Sequence, residues 1–372
     1  MSIFFVLVVF AIILYCMMQN NDTKKSRKKY VIIITSVLIV VAGLRHVAVG
    51  NDTLAYWDKF EAIRYNSWGE LFNGFWTGLL NPTQSDFGKD PGMWILNKAL
   101  SYIIYNQQIY FLLMASIILV PLGVFFYRNS TTLKQLLFAY SFYITLYFSY
   151  LPCSAVRQSI AVGLLIMGYI GLTENKVKKF IFYLALALLF HKSSMIGVLF
   201  LIIFLLKKPV WSYRLTIVAF ICVLMFYNYI GVLLADSNEI YAMYNGSYYE
   251  TGASKPFIVI VLYVGFYLIG LFSLKDYKND GLDRTTALAM IGTSLTTTFI
   301  PLIRLDPSLV RITGYFVMWS CLFVPQSIAK YSSSLSKLIL IICILLFLYR
   351  SFRDSDHYAF FWQDMILHER YR

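Results

Sequence analysis

The chain has 372 residues, of which 59% are hydrophobic, 18% aromatic and only 14% charged, with a mean hydropathy of +0.65. A soluble domain is nearer half apolar and a quarter charged, so this composition excludes an ordinary globular protein and points to an integral membrane protein. The 32 Lys and Arg against 19 Asp and Glu give +13, yet so apolar a chain has little water-facing surface for a nucleic-acid patch. No nucleic-acid partner is expected, and the charge is read as setting orientation in a lipid bilayer.

A membrane helix needs about 20 apolar residues. The first run, 2–18, has no basic residue before it and is followed by Lys24, Lys25, Arg27, Lys28 and Lys29. That order is the reverse of a signal peptide and predicts a retained helix with its N-terminus outside. Further runs follow at 30–43, 108–127, 133–151, 155–172, 180–206, 213–234, 257–274, 285–303, 312–329 and 335–349. As one helix the run 180–206 would be ~40 Å long against a hydrocarbon core of ~30 Å. It is also interrupted by His191, Lys192, Ser193 and Ser194, and flanked by Lys178 and Lys179 before and Lys207 and Lys208 after. A hairpin of two half-length legs puts both basic pairs in the cytoplasm.

This reading makes residues 1–372 a single membrane domain, an all-α polytopic integral membrane protein with about 12 transmembrane or half-membrane helices. Its cytoplasmic loops hold 18 of the 32 basic and five of the 19 acidic residues, and the outer side keeps 14 of each. The five cysteines stand singly in apolar surroundings and the four histidines are scattered without ligand spacing. Neither a metal site nor a cofactor is therefore expected, and the short basic cytoplasmic loops carry no nucleotide-binding motif.

Polar chemistry collects outside. The outer loop 44–107 contains Trp57, Trp68, Trp76 and Trp94 with apolar runs too short to span, which predicts amphipathic interfacial helices whose aromatics anchor at the headgroups or stack on sugars. The outer loop 235–256 gathers Tyr241, Tyr244, Tyr248 and Tyr249, a pattern suited to a lid over a polar ligand. Arg45, Arg157, His191, Lys192, Arg304 and Arg311 lie at or within the membrane on the same side. Ionisable groups at that depth snorkel, pair, or line a cavity. Pairing with Asp52 or Asp306 would neutralise single members; the set as a whole, with few buried acids beside it, predicts an anionic ligand. Arginine's planar fork matches phosphate oxygens, so a lipid-linked diphosphate is the ligand expected.

Several segments resemble the EpsG family, the Wzy-like polymerases of bacterial exopolysaccharide and O-antigen synthesis. They are Arg45 with Val49, Gly50, Asn51, Asp52 and Tyr56; Asp90, Pro91, Gly92, Met93 and Trp94 with Leu96, Asn97 and Lys98; Val156 to Ala161; and Phe190 to Ser194. Asn51 and His46 depart from the family's usual Thr and aromatic. The resemblance implies a GT-C-like membrane glycosyltransferase in the bacterial cytoplasmic membrane, with its active site facing the periplasm or cell exterior. Its donor and acceptor would both be undecaprenyl-diphosphate-linked glycans, its surroundings membrane lipids, and its partner a chain-length regulator, with no metal required. The same resemblance implies catalytic roles for Arg157, His191, Asp52 and Arg45. Substrate contacts are expected from Arg304, Arg311, Gln158, Ser193, Tyr56, Tyr244 and Tyr248. Arg157, with Arg45 or Arg304 and Arg311, would hold the diphosphate, and Asp52 or His191 would take the acceptor's proton. A lipid-linked oligosaccharide flippase and an O-antigen ligase are the competing readings.

Overall fold

The computed structural model describes residues 2–50, 52–80, 90–237, 257–274, 282–304, 309–353 and 358–365. Among these the regular structure is helical, and the only extended pairing is an isolated antiparallel bridge between Arg45 and Phe360. Among the described residues six helices are long and apolar enough to cross a membrane: Ile3–Asn21, Gln107–Asn129, Val156–Thr173, Pro209–Tyr227, Arg284–Arg304 and Ser333–Ser351. Shorter apolar helices cover Lys192–Leu205, Val259–Ser273 and Val317–Ile328. The chain is thus a multi-pass membrane protein by its helices. Two of the expected apolar runs, 133–151 and 312–329, are broken by turns that hydropathy does not register.

The chain divides into two units, 1–195 with 342–372, and 196–341. In the first, α1 (Ile3–Met18) and α2 (Lys24–Gly43) are joined at a turn where the Thr23 hydroxyl accepts from the Ser26 N–H at 3.1 Å. Three short helices follow in the region expected to be interfacial: α3 (Thr53–Ile63), α4 (Trp68–Leu80) and α5 (Pro91–Ser101). Trp57 packs against Phe60 and Tyr110, and Lys59 lies over the Trp94 ring, whereas Trp68 and Trp76 are exposed. The Lys98 ammonium donates to the Arg64 carbonyl at 3.1 Å, satisfying the last turn of α3, and the Tyr110 hydroxyl donates to Asn97. The Leu-Asn-Lys segment therefore assembles this region.

The bundle beneath comprises α6 (Gln107–Asn129), α7 (Leu133–Tyr143), α8 (Val156–Thr173) and α9 (Val177–Phe190). A π-helical segment, Ile144–Phe148, continues α7, and Arg350 donates to its Thr145 carbonyl. Polar groups join the helices inside the core, as where the hydroxyls of Thr35 and Tyr140 meet at 2.7 Å. α6 and α8 approach so closely at Gly163 that an added Cβ would lie 2.7 Å from the Ile117 carbonyl oxygen.

The connections sort to two ends. At one end Arg27 donates to the Thr131 carbonyl, Asp22 accepts from the Leu133 N–H at 2.9 Å, and Arg128 pairs with Glu174. Hydrogen bonds from Lys176 and Arg128 hold the Glu174 carboxyl down at about 2. At the other end the Thr53 hydroxyl donates to the Cys153 carbonyl at 2.8 Å, and residues 44–46 pair with 359–361. Gly50 there has φ +88°, a left-handed conformation that favours glycine.

In the second unit, α10 (Gly197–Leu205), α11 (Pro209–Ser237), α12 (Phe257–Ser273), α13 (Arg284–Phe299) and α14 (Val317–Ile328) form the core. The hydroxyls of Thr216 and Ser294 meet at 2.8 Å, and Tyr213 donates to the Tyr267 carbonyl at 2.9 Å. Phe200 stacks on Phe316 and on Trp319, each at 6.1 Å. The last helix, α15, spans Ser333–Arg353.

Candidate active site

Arg157 stands at the second position of α8. A cation there opposes the helix dipole, which favours negative charge at an N-terminus, so its placement needs a compensating anion. Asp90 supplies one, with its Oδ2 2.6 Å from Arg157 Nη1. Arg157 Nε donates to the Tyr56 hydroxyl at 3.4 Å, and the guanidinium carbon lies 5.9 Å from the Tyr56 ring centroid. Tyr56 is buried and the Asp90 side chain is 11% exposed, yet the Arg157 side chain remains 38% exposed. Two of its five N–H donors are thus engaged among the described residues, on a guanidinium that is still open on one side.

Asp90 owes its position to its neighbours. It precedes Pro91 at the start of α5 and adopts φ 52°, ψ 58°, a left-handed conformation uncommon outside glycine. The next residue, Gly92, lets α5 close on α9: a Cβ there would meet the Phe190 ring at 3.0 Å. This contact brings the end of α9 to the carboxylate, where the backbone N–H and the charge of Lys192 both act on Asp90. Burial pushes the Asp90 carboxyl above its ordinary range, while Arg157 and Lys192 pull it back. Asp52, at the head of α3, is within electrostatic reach of both Tyr56 and Arg157.

α9 stops where His191 turns extended, at φ −160° and ψ 116°. His191 Nδ1 and Ser193 Oγ are 2.6 Å apart, and the Ser194 N–H donates to the His191 carbonyl. The run 180–206 is therefore interrupted at its four polar residues, with a 3₁₀ turn over Lys192–Ile196 before α10 begins. Arg157, Asp90, Tyr56, Asp52 and Lys192 converge in the first unit, with His191 and Ser193 adjoining in the chain.

A family model described as the EpsG family matches residues 28–365. The chain belongs to the EpsG family. EpsG proteins are Wzy-like polymerases, so this chain is a member of a polysaccharide-polymerase family. Neither a curated protein nor a solved structure gives a significant match.

Within this EpsG protein the remaining expected site residues separate. Arg45 is wholly buried, its guanidinium 4.3 Å from the Phe111 ring centroid and bonded to the Ala42 carbonyl. Its Nε and Nη2 have no hydrogen-bond partner among the described residues. Pairing of Arg45 with Asp52 is thus not observed: an aromatic ring takes the place of a carboxylate. The His46 N–H donates to the Ala359 carbonyl at 2.7 Å, and the Tyr358 hydroxyl reaches the Val41 carbonyl, so the C-terminal segment closes over this region. Gln158, one position along from Arg157, is buried and accepts from the Tyr150 hydroxyl at 3.3 Å. Arg304 and Arg311 belong to the second unit; Arg304 lies 5.2 Å over Tyr227, and Arg311 is half-buried on the helical turn Val310–Thr313. Tyr244, Tyr248 and Asp306 fall outside the described residues.

Asp90 is the residue that sequence reasoning left off the site. Its signal was the Asp-Pro pair, which reads equally well as an ordinary helix start.

Proposed function

We propose that this EpsG-family chain polymerises undecaprenyl-diphosphate-linked oligosaccharide repeat units on the outer face of the bacterial cytoplasmic membrane. The observation that carries the reading is Arg157: an arginine fixed from two sides by Asp90 and Tyr56, open on a third, at a helix N-terminus suited to anions. Such a group binds a diphosphate and stabilises the charge that grows as the diphosphate leaves.

In this scheme Arg157 holds the donor lipid diphosphate. Arg45 supports the loop through Phe111. Tyr56, Gln158 and Ser193 border the glycan path. His191 and Asp52 border the acceptor hydroxyl. No metal is required, since arginines take the charge, and a chain-length regulator is the expected partner.

The basic excess beside the end that carries residues 24–29, 128–134 and 174–179 supports a cytoplasmic location for that end. The opposite end carries Arg157 and the pairing of 44–46 with 359–361. If the eight other apolar runs between 46 and 359 each cross once, this pairing requires the run 180–206 to leave on the side it entered. That supports a hairpin.

The test is incubation of the purified chain in lipid nanodiscs with lipid-linked repeat units extracted from a host strain lacking it. A ladder of lengthening polymer supports the proposal. Transfer of a single unit to a different acceptor would indicate a ligase, and translocation without bond formation a flippase.

A further inference from the structure

Asp90 has a geometry that exceeds what an ion pair needs. A left-handed backbone at a non-glycine residue, although commoner for Asp than for most, points to a role beyond neutralisation. Asp90 sits at the meeting of three separate segments, the head of α5, the head of α8 and the end of α9, in a left-handed conformation at a non-glycine residue. Its pairing partner is the guanidinium proposed to hold the leaving diphosphate. A planar fork holds two acceptors side by side, so a diphosphate oxygen on the open edge of Arg157 would neighbour the Asp90 carboxylate. An acceptor hydroxyl bonded to Asp90 would then be held beside the donor diphosphate, where proximity to the anomeric carbon favours attack.

From this juxtaposition we infer that Asp90 is the catalytic base that takes the proton from the acceptor sugar hydroxyl. The inference rests on the polymerase reading given above. In the step, the acceptor O–H bond breaks and its proton passes to the Asp90 carboxylate. The acceptor oxygen forms a bond to the anomeric carbon as the bond from that carbon to the diphosphate oxygen breaks. The electron pair leaves on undecaprenyl diphosphate, whose charge Arg157 holds, and the proton later passes to water. The one hydrogen bond recorded to the carboxylate among the described residues, from Arg157 Nη1, leaves lone pairs for the hydroxyl. Among the described residues the charged groups acting on it are Arg157 from α8 and Lys192 at the end of α9, next to His191, while Tyr56 and Asp52 from α3 act on Arg157.

The test compares Asp90→Asn and Asp90→Glu with the native chain in the polymerisation assay. Asn keeps an oxygen that accepts from Arg157 but cannot take a proton. Asp90→Asn should lower kcat by about 10²–10⁴-fold while binding of undecaprenyl diphosphate changes little. Asp90→Glu should keep a measurable rate with its acid limb displaced along the pH axis. A kcat for Asp90→Asn within about tenfold of native would overturn the inference, because general-base loss is larger. So would parallel loss of undecaprenyl diphosphate binding and turnover, which would make Asp90 a positioning residue for Arg157. If Asp90→Asn does not fold, an unmoved acid limb in Asp90→Glu overturns the inference and a displaced one sustains it. Failure of the native chain to polymerise refutes the polymerase reading itself, before any variant is compared.

Discussion

Replacing Arg157 with Lys keeps the positive charge and removes the fork. Arg157 reaches Asp90 at 2.6 Å from Nη1 and Tyr56 at 3.4 Å from Nε, two directions served by one rigid plane. An ammonium is a single point of charge on a flexible stem and cannot hold Asp90, Tyr56 and a diphosphate together. Losing one charge-assisted hydrogen bond in the transition state is worth about 1.5–3 kcal/mol, or about 10- to 150-fold in kcat/KM. Folding should suffer much less. The Arg157 side chain is 38% exposed, so solvent screens the pair, and Lys still offsets Asp90; a loss of about 1 kcal/mol or less is expected. The assay is polymer length and rate in nanodiscs, with expression level and thermal midpoint read on the same preparations. Native polymer length and a rate within about threefold for Arg157→Lys would refute the diphosphate role, since charge alone would then suffice.

Other expectations concern packing, topology and pH. Gly163→Ala places a Cβ 2.7 Å from the Ile117 carbonyl oxygen between α6 and α8, and should destabilise by about 1–3 kcal/mol, lowering the thermal midpoint. Alkaline phosphatase and green fluorescent protein fusions at Asn175 and Lys208 should both report cytoplasm; a periplasmic signal at Lys208 would remove the hairpin. Glu174 is held at about 2, below its ordinary 4.5, so its contribution to stability is complete above about pH 4.5 and is lost as the pH falls towards 2. Glu174→Gln should flatten the acid side of the melting profile, and an unchanged profile would show that the Arg128 and Lys176 contacts contribute nothing.

Helix positions were legible where an apolar run met polar ends. The runs 108–127 and 155–172 reappear as Gln107–Asn129 and Val156–Thr173. Hydropathy did not show where such runs break: 133–151 changes to a π-helical segment at Ile144, and 312–329 is turned at Gly314–Phe316 before its helix starts at Val317. Both breaks lie among apolar residues, and so leave no trace in composition. Arg157 and the His191–Ser194 interruption stood out because polar groups are costly in a membrane. Asp90 stood out only as part of a segment that resembles the EpsG family, and an acid in a polar loop has no role of its own until its partner is known. The contact of Arg45 with Phe111 was equally hidden, since one aromatic among 30 phenylalanines carries no mark of the cation above it.

Whether the chain alone joins lipid-linked repeat units through the site at Arg157 is decided by polymerisation with the purified chain in nanodiscs, given extracted lipid-linked repeat units as the only substrate and no nucleotide sugar. A ladder of products spaced by one repeat unit should form, with release of undecaprenyl diphosphate in step with each bond. Active-site integrity and folded protein without either product would contradict the polymerase reading.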